Sequence, residues 1–167
     1  MSISYVGGRS SIAGSGRPAE DKYLLLTGAT KAARAALGDA VLEGNLVEIK
    51  HVGSHTLNQV RAVKYIPLVI FHEPSSTWYV VPAHVVVLLV SKKNRGQHTE
   101  NPFESATLDV RHLGAYQVKE AALKQRTLDA VAESANVPAL RDEMVRVLAR
   151  SKSLAAESLA SVRNIAA

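Results

Sequence analysis

A chain of 167 residues with 47% apolar content is long enough to bury a core and too apolar to be disordered as a whole. It contains no cysteine, which excludes disulfides and thiolate metal sites and leaves carboxylate, imidazole, carbonyl and water as the available metal ligands. The net charge of +5 is unevenly spread: residues 1–99 hold 11 Lys and Arg against 6 Asp and Glu, while residues 100–167 hold 9 of each, which points the first part of the chain toward a polyanion, most commonly nucleic acid.

Residues 1–16 are rich in Gly and Ser and read as a flexible arm. The piece GGRSSIAGSG lacks the Gly-Lys-Ser/Thr of a phosphate loop, and the arm has no apolar signal-peptide core. Pro18 suits the first helical position, with Glu20 and Asp21 in a first turn where the helix dipole favours anions. The helix is expected to run through Tyr23, Leu24, Ala32 and Ala36 to Gly38, with Gly28 a weak point.

Residues 38–50, GDAVLEGNLVEIK, read as a hairpin turning at Gly44-Asn45. With Glu43 opposite Leu46, the register pairs Leu42 with Val47, Val41 with Glu48, Ala40 with Ile49 and Asp39 with Lys50. Ala40, Leu42, Val47 and Ile49 then share a core-facing side, and Asp39, Val41, Glu48 and Lys50 share the other. Asp39 lies diagonal to Glu48 at roughly 7–8 Å, a gap long side chains close.

After His51-Val52-Gly53, Ser54 is expected to cap a helix of about 55–65 with Leu57, Val60 and Val63 on one side and His55, Asn58, Arg61 and Lys64 on another. The apolar run IPLVIF, residues 66–71, predicts a strand buried on both faces, parallel to the second hairpin strand through a right-handed crossover. TWYVV, residues 77–81, returns antiparallel, and Pro82 opens a short helix through Val90, although its VVV run also suits a strand. The longest apolar run, Val85 to Val90, is too short to cross a bilayer, so the expectation is a cytoplasmic chain with no membrane partner.

Lys92, Lys93 and Arg95 follow, then a polar stretch carrying Gln97, His98 and Asn101, side chains able to contact phosphates or base edges; an ordinary solvated loop has the same composition. From Ala115 the chain becomes Ala-rich. Helices are expected over 115–135 and 138–165, the second striped by Leu140, Met144, Val147, Leu148, Leu154, Leu159, Val162 and Ile165 for packing on the core or for dimerisation.

The hairpin carries the chemistry. Two close carboxylates repel unless a cation lies between them, and Asp and Glu oxygens with open water positions suit Mg²⁺. Lys50 could then hold a water or stabilise charge on a phosphate. The ordinary alternative is a cross-strand Asp39–Lys50 ion pair on a polar face. His51 and His55 are a poorer metal pair, because their spacing needs a continuous helix that Gly53 interrupts.

Gly-Asp-x-Val, a turn, then Val-Glu-Ile-Lys resembles the core signature of the PD-(D/E)xK nuclease superfamily, with Asp39, Glu48 and Lys50 in the motif positions and Gly38 where the family often has proline. The resemblance spans roughly residues 18–82. It implies an α/β, restriction-endonuclease-like mixed sheet flanked by helices; the arm, the 92–108 loop and the C-terminal helices lie outside it, and the chain is expected to divide into a core over 17–113 and a C-terminal helical appendage over 114–167. It implies one or two Mg²⁺ ions held by Asp39, Glu48 and the backbone carbonyl of Ile49, with Glu20 on the first helix and Gln59 after the motif as further site residues. The expected activity is site-specific DNA hydrolysis by a metal-dependent phosphodiesterase of restriction or homing type, or a Holliday-junction resolvase. Double-stranded or branched DNA would contact Arg61, Lys64, Lys92, Lys93, Arg95, Gln97, His98 and Asn101, and two-fold assembly is expected because two strands need two sites. The rivals are a non-catalytic DNA-binding or assembly protein and a protein-binding helical module on residues 115–165.

Overall fold

The computed structural model describes residues 17–93, 101–137 and 139–150. Helix α1 spans Arg17–Thr27; strands β1 (Thr30–Lys31), β2 (Ala40–Leu42), β3 (Asn45–Val52) and β4 (Thr56–Val60) follow. Next come β5 (Leu68–His72), β6 (Thr77–Val81), helix α2 (Ala83–Ser91), β7 (Ala106–Asp109), β8 (Gln117–Val118) and helix α3 (Leu123–Ala135); residues 139–150 form a further helix, α4. The main sheet has the order β1-β2-β3-β5-β6-β8, with β3 and β5 parallel and every other pair antiparallel, and β4 pairs separately with β7. The chain is therefore α/β, a mixed six-stranded sheet flanked by helices.

The apolar residues of the central strands alternate between two packed clusters, one on each face. Val47, Ile49, Val69, Trp78 and Val80 meet Ala19 and Tyr23 of α1 and Leu123 and Ala130 of α3. Leu68, Ile70, Tyr79 and Val81 meet Leu57 and Val60 of β4, Val86, Val87 and Val90 of α2, and Ala106 and Leu108 of β7. The continuous apolar character of residues 66–71 has this physical cause: a strand wet on neither face needs apolar side chains at both parities. Because β8 joins the sheet and α3 covers it, the packed body continues through residue 135.

Three elements differ from the sequence expectation. Helix α1 stops at Thr27, where Gly28 takes a left-handed φ of +73° and its N–H bonds to the Leu24 carbonyl at 2.9 Å; residues 29–38 leave the helix, form β1 and return toward β2. Residues 56–60 are a strand, not a helix, and only a 3₁₀ turn over Ala62–Lys64 leads into β5. The i, i+3 spacing of Leu57 and Val60 imitates a helix because the β4–β7 register shifts between them: Gln59, at φ +55°, adds the residue that returns Val60 to the buried side. The helix expected from 115 begins at Leu123, after a 3₁₀ segment and β8.

The hairpin register also moves. The turn is Glu43-Gly44, both left-handed (φ +48° and +80°), not Gly44-Asn45, and the pairs are Ala40 with Val47, Val41 with Leu46 and Leu42 with Asn45. Asn45 holds the turn by donating its amide to the Leu42 and Glu43 carbonyls at 3.3 and 3.1 Å.

Candidate functional site

Asp39 is placed by backbone on both sides. Its N–H donates to the Val47 carbonyl at 2.9 Å, and its carbonyl accepts from Ala32 N–H at 3.2 Å. Its carboxylate Oδ2 accepts the Ile49 N–H at 2.7 Å, a charge-assisted bond that fixes the side chain against β3. Gly38 is buried just before it, and a Cβ there would meet the Val47 carbonyl oxygen at 3.1 Å and Ile66 Cδ1 at 3.2 Å. Burial holds the Asp39 carboxyl above its ordinary pKa; the Ile49 N–H opposes this, the Glu48 charge adds to it, and Lys50 and Lys64 oppose it.

Glu48 and Lys50 project from β3 with the parity of Val52, toward the face covered by β4, β7 and α2. Glu48 is only 7% exposed. Each of its oxygens carries a lysine, with Oε1 3.0 Å from Lys50 Nζ and Oε2 2.5 Å from Lys64 Nζ. A buried carboxylate needs such partners, and two carboxylates beside two ammonium groups make the cluster electrically balanced. Lys64 reaches it from the 3₁₀ turn before β5 and also donates to the Ala35 carbonyl at 3.4 Å. Lys64 is therefore drawn inward rather than presented to a partner surface. No local pattern announces this contact, because the chain must pass through β4 before it returns to Glu48.

Beside this cluster lies a cavity of about 520 Å³ lined by Glu20, Asp39, Ile49, Lys50 and Gln59, with Ser54 and Asn58 on the β4 side. Five residues singled out from the sequence, contributed by α1, the approach to β2, β3 and β4, thus share one concavity. Gln59 arrives there from the bulged strand rather than from a helix. Ser54 and Asn58 are polar neighbours for which the sequence carried no separate site signal.

Of the remaining candidates His51 also lines the cavity, and the others are dispersed. Arg61, Lys92 and Lys93 are exposed. Asn101 is 5% exposed and its side-chain oxygen accepts the Phe103 N–H at 3.0 Å, so it shapes its own turn instead of offering a free amide to a base. Arg95, Gln97 and His98 lie outside the described residues. His51 and His55 do not converge: the His51 ring stacks on Phe71 and its Nε2 lies 3.3 Å from Glu73, whereas His55 stacks on His72.

The donor set suits a hard cation in kind, since its ligands are carboxylate oxygens at a polar cavity and Mg²⁺ needs only one or two of them plus water. Among the described residues no three His, Asp or Glu side chains stand close enough to form a metal cage on their own. The carboxylates that could hold a cation are Asp39 and, with a lysine displaced, Glu48. No family model, curated protein or solved structure matches the chain.

Proposed function

We propose that the protein is a metal-dependent DNA endonuclease built on a restriction-endonuclease-like core. The observation that carries this reading is the convergence of Glu20, Asp39, Lys50 and Gln59 on one cavity, with Glu48 beside them. The N-terminal helix α1, the β2–β3 hairpin and the parallel β3–β5 pair agree with this reading, whereas the crossover helix expected between β3 and β5 is replaced by β4 and a 3₁₀ turn.

On this reading Asp39, Glu48 and the Ile49 carbonyl would hold Mg²⁺, which when bound would supply polarisation of a phosphate and a water of lowered pKa. The chain's own groups do the rest. The Ile49 N–H fixes the Asp39 carboxylate, and Glu48 holds Lys50 at the cavity, where its ammonium can orient a water or offset charge growing on the scissile phosphate. Gln59 and Asn58 offer amide donors and acceptors to the sugar-phosphate backbone.

One observation favours a second reading, a non-catalytic DNA-binding protein: both Glu48 oxygens are satisfied by lysines, as in a purely structural ion-pair cluster. Supercoiled plasmid, linear duplex and a four-way junction incubated with Mg²⁺ or Mn²⁺ separate the two. Cleavage that EDTA stops supports the enzyme, and the preferred substrate distinguishes a restriction-type enzyme from a resolvase. DNA binding without cleavage in either metal overturns the enzymatic reading.

A further inference from the structure

The edge of β3 is open where the cavity lies. In the parallel β3–β5 ladder the Glu48 N–H donates to the Pro67 carbonyl at 3.0 Å, so the main-chain groups of Glu48, Lys50 and Val52 face β5 and those of Ile49, His51 and Gly53 face the other way. On that other side β2 pairs only with Asn45, Leu46 and Val47, and the Asp39 carboxylate takes the Ile49 N–H. Among the described residues no strand or turn hydrogen bond meets the Ile49 carbonyl, the His51 N–H and carbonyl or the Gly53 N–H, and residues 49–53 all line the cavity. Acceptors and donors alternate along this edge. Phosphodiester oxygens, which only accept, would leave the two carbonyls unpaired; a polypeptide strand offers both kinds of group.

Residues 1–16 lie outside the described residues, and they join the packed body at Arg17, the first residue of α1, one turn before Glu20, which lines the same cavity. Within them Ser2–Val6, SISYV, carries the strand formers Ile3, Tyr5 and Val6. The arm contains no proline, so no N–H is missing from a ladder, and its one charged side chain, Arg9, is opposite in sign to the Asp39 and Glu20 carboxylates of the cavity. Residues 7–16 can span roughly 33 Å, several times the rise of about 5 Å between Arg17 and Glu20. We propose that Ser2–Val6 adds to the open edge of β3 as a strand of the same molecule and so occupies the cavity. The pairing does not depend on the nuclease reading; under that reading the arm and DNA exclude one another at Asp39 and Lys50.

Amide hydrogen exchange followed by NMR in the full chain, without metal or DNA, tests this. The His51 and Gly53 N–H groups are expected to exchange about tenfold or more slowly in the wild type than in Ser4→Pro/Tyr5→Pro, whose adjacent prolines remove one N–H of each strand parity. Ser4→Thr/Tyr5→Val keeps both N–H groups and is expected to keep the protection; its loss there would assign the effect to the Tyr5 ring and overturn the ladder. Lys50 and Val52, bonded to β5, should be protected in all three proteins, which shows that each is folded. Equal exchange of His51 and Gly53 in the wild type and the proline variant overturns the proposal: fast in both, the edge is empty, and slow in both, another group covers it. Protection that rises with protein concentration assigns the strand to a second copy and overturns the pairing within one molecule. None of these outcomes bears on the nuclease reading, which stands or falls on cleavage.

Discussion

At the scale of single residues, the ionised Asp39 works against the stability of the fold that holds it. Its carboxyl is held above the ordinary range mainly by burial, so the folded protein binds this proton more readily than the unfolded chain as the pH falls. The ionised side chain therefore costs stability above its folded pKa, and the cost is relieved as the pH drops toward the unfolded carboxylate value of about 4. Asn at this position can still accept the Ile49 N–H while carrying no charge. Asp39→Asn is expected to raise Tm at pH 7, and thermal melts across pH 7 to 4 should show the gap closing. Gly38 constrains the same corner sterically. Gly38→Ala places a methyl against the Val47 carbonyl and Ile66, and urea unfolding should show a loss of about 1–3 kcal/mol, the usual cost of overpacking.

At the scale of elements, the hairpin and β4 separate what pattern can reveal from what it cannot. The hydrophobic alternation of residues 40–49 identifies the buried face correctly, because Ala40, Leu42, Val47 and Ile49 are all buried. It does not identify the register. The observed pairing differs from the expected one by two residues, and a two-residue slip leaves every side chain on the same face. The decision rests on the turn, where Glu43 accepts a left-handed conformation beside Gly44. Strands β5 and β6 and helix α2 were legible because each has an apolar run bounded by turn residues or Pro82. Strand β4 was not, since its bulge gives Leu57 and Val60 helical spacing and its partner β7 lies about fifty residues away. Gln59 in the left-handed region stores about 1 kcal/mol of backbone strain. Gln59→Gly is expected to keep or slightly raise stability, whereas the β-branched Gln59→Val should lower it by about 1–2 kcal/mol in urea unfolding. A drop in DNA cleavage by Gln59→Gly without a stability loss would assign the amide to the site rather than to the bulge.

At the scale of the whole molecule, the sheet is covered on both faces, yet its β2–β3 end keeps a polar cavity between the packed layers. No described helix is long and apolar enough to cross a membrane. Helix α4 packs on this body: Met144 is 2% exposed within the β4–β7–α2 cluster, Leu148 packs against the same cluster, and the Arg141 guanidinium lies 5.9 Å from the centre of the Tyr65 ring, whose hydroxyl reaches the Ser134 and Val137 carbonyls before α4 begins. Val145 and Val147 on the same helix remain exposed. Packing on the core is thus met by Met144, and residues 151–165 of the apolar stripe lie outside the described residues. Met144→Ala is expected to destabilise by about 2–5 kcal/mol. Val145→Asp should leave Tm within about a degree while, if the helix also pairs two copies, light scattering shows a smaller particle.

The central claim, that Asp39, Glu48 and Lys50 form one hydrolytic site on this sheet, is tested most directly by plasmid nicking in Mg²⁺ with folded Asp39→Asn beside the wild type. The expected result is cleavage by the wild type and a fall of about a thousandfold or more in the variant with DNA affinity unchanged. Cleavage undiminished by Asp39→Asn would contradict the account.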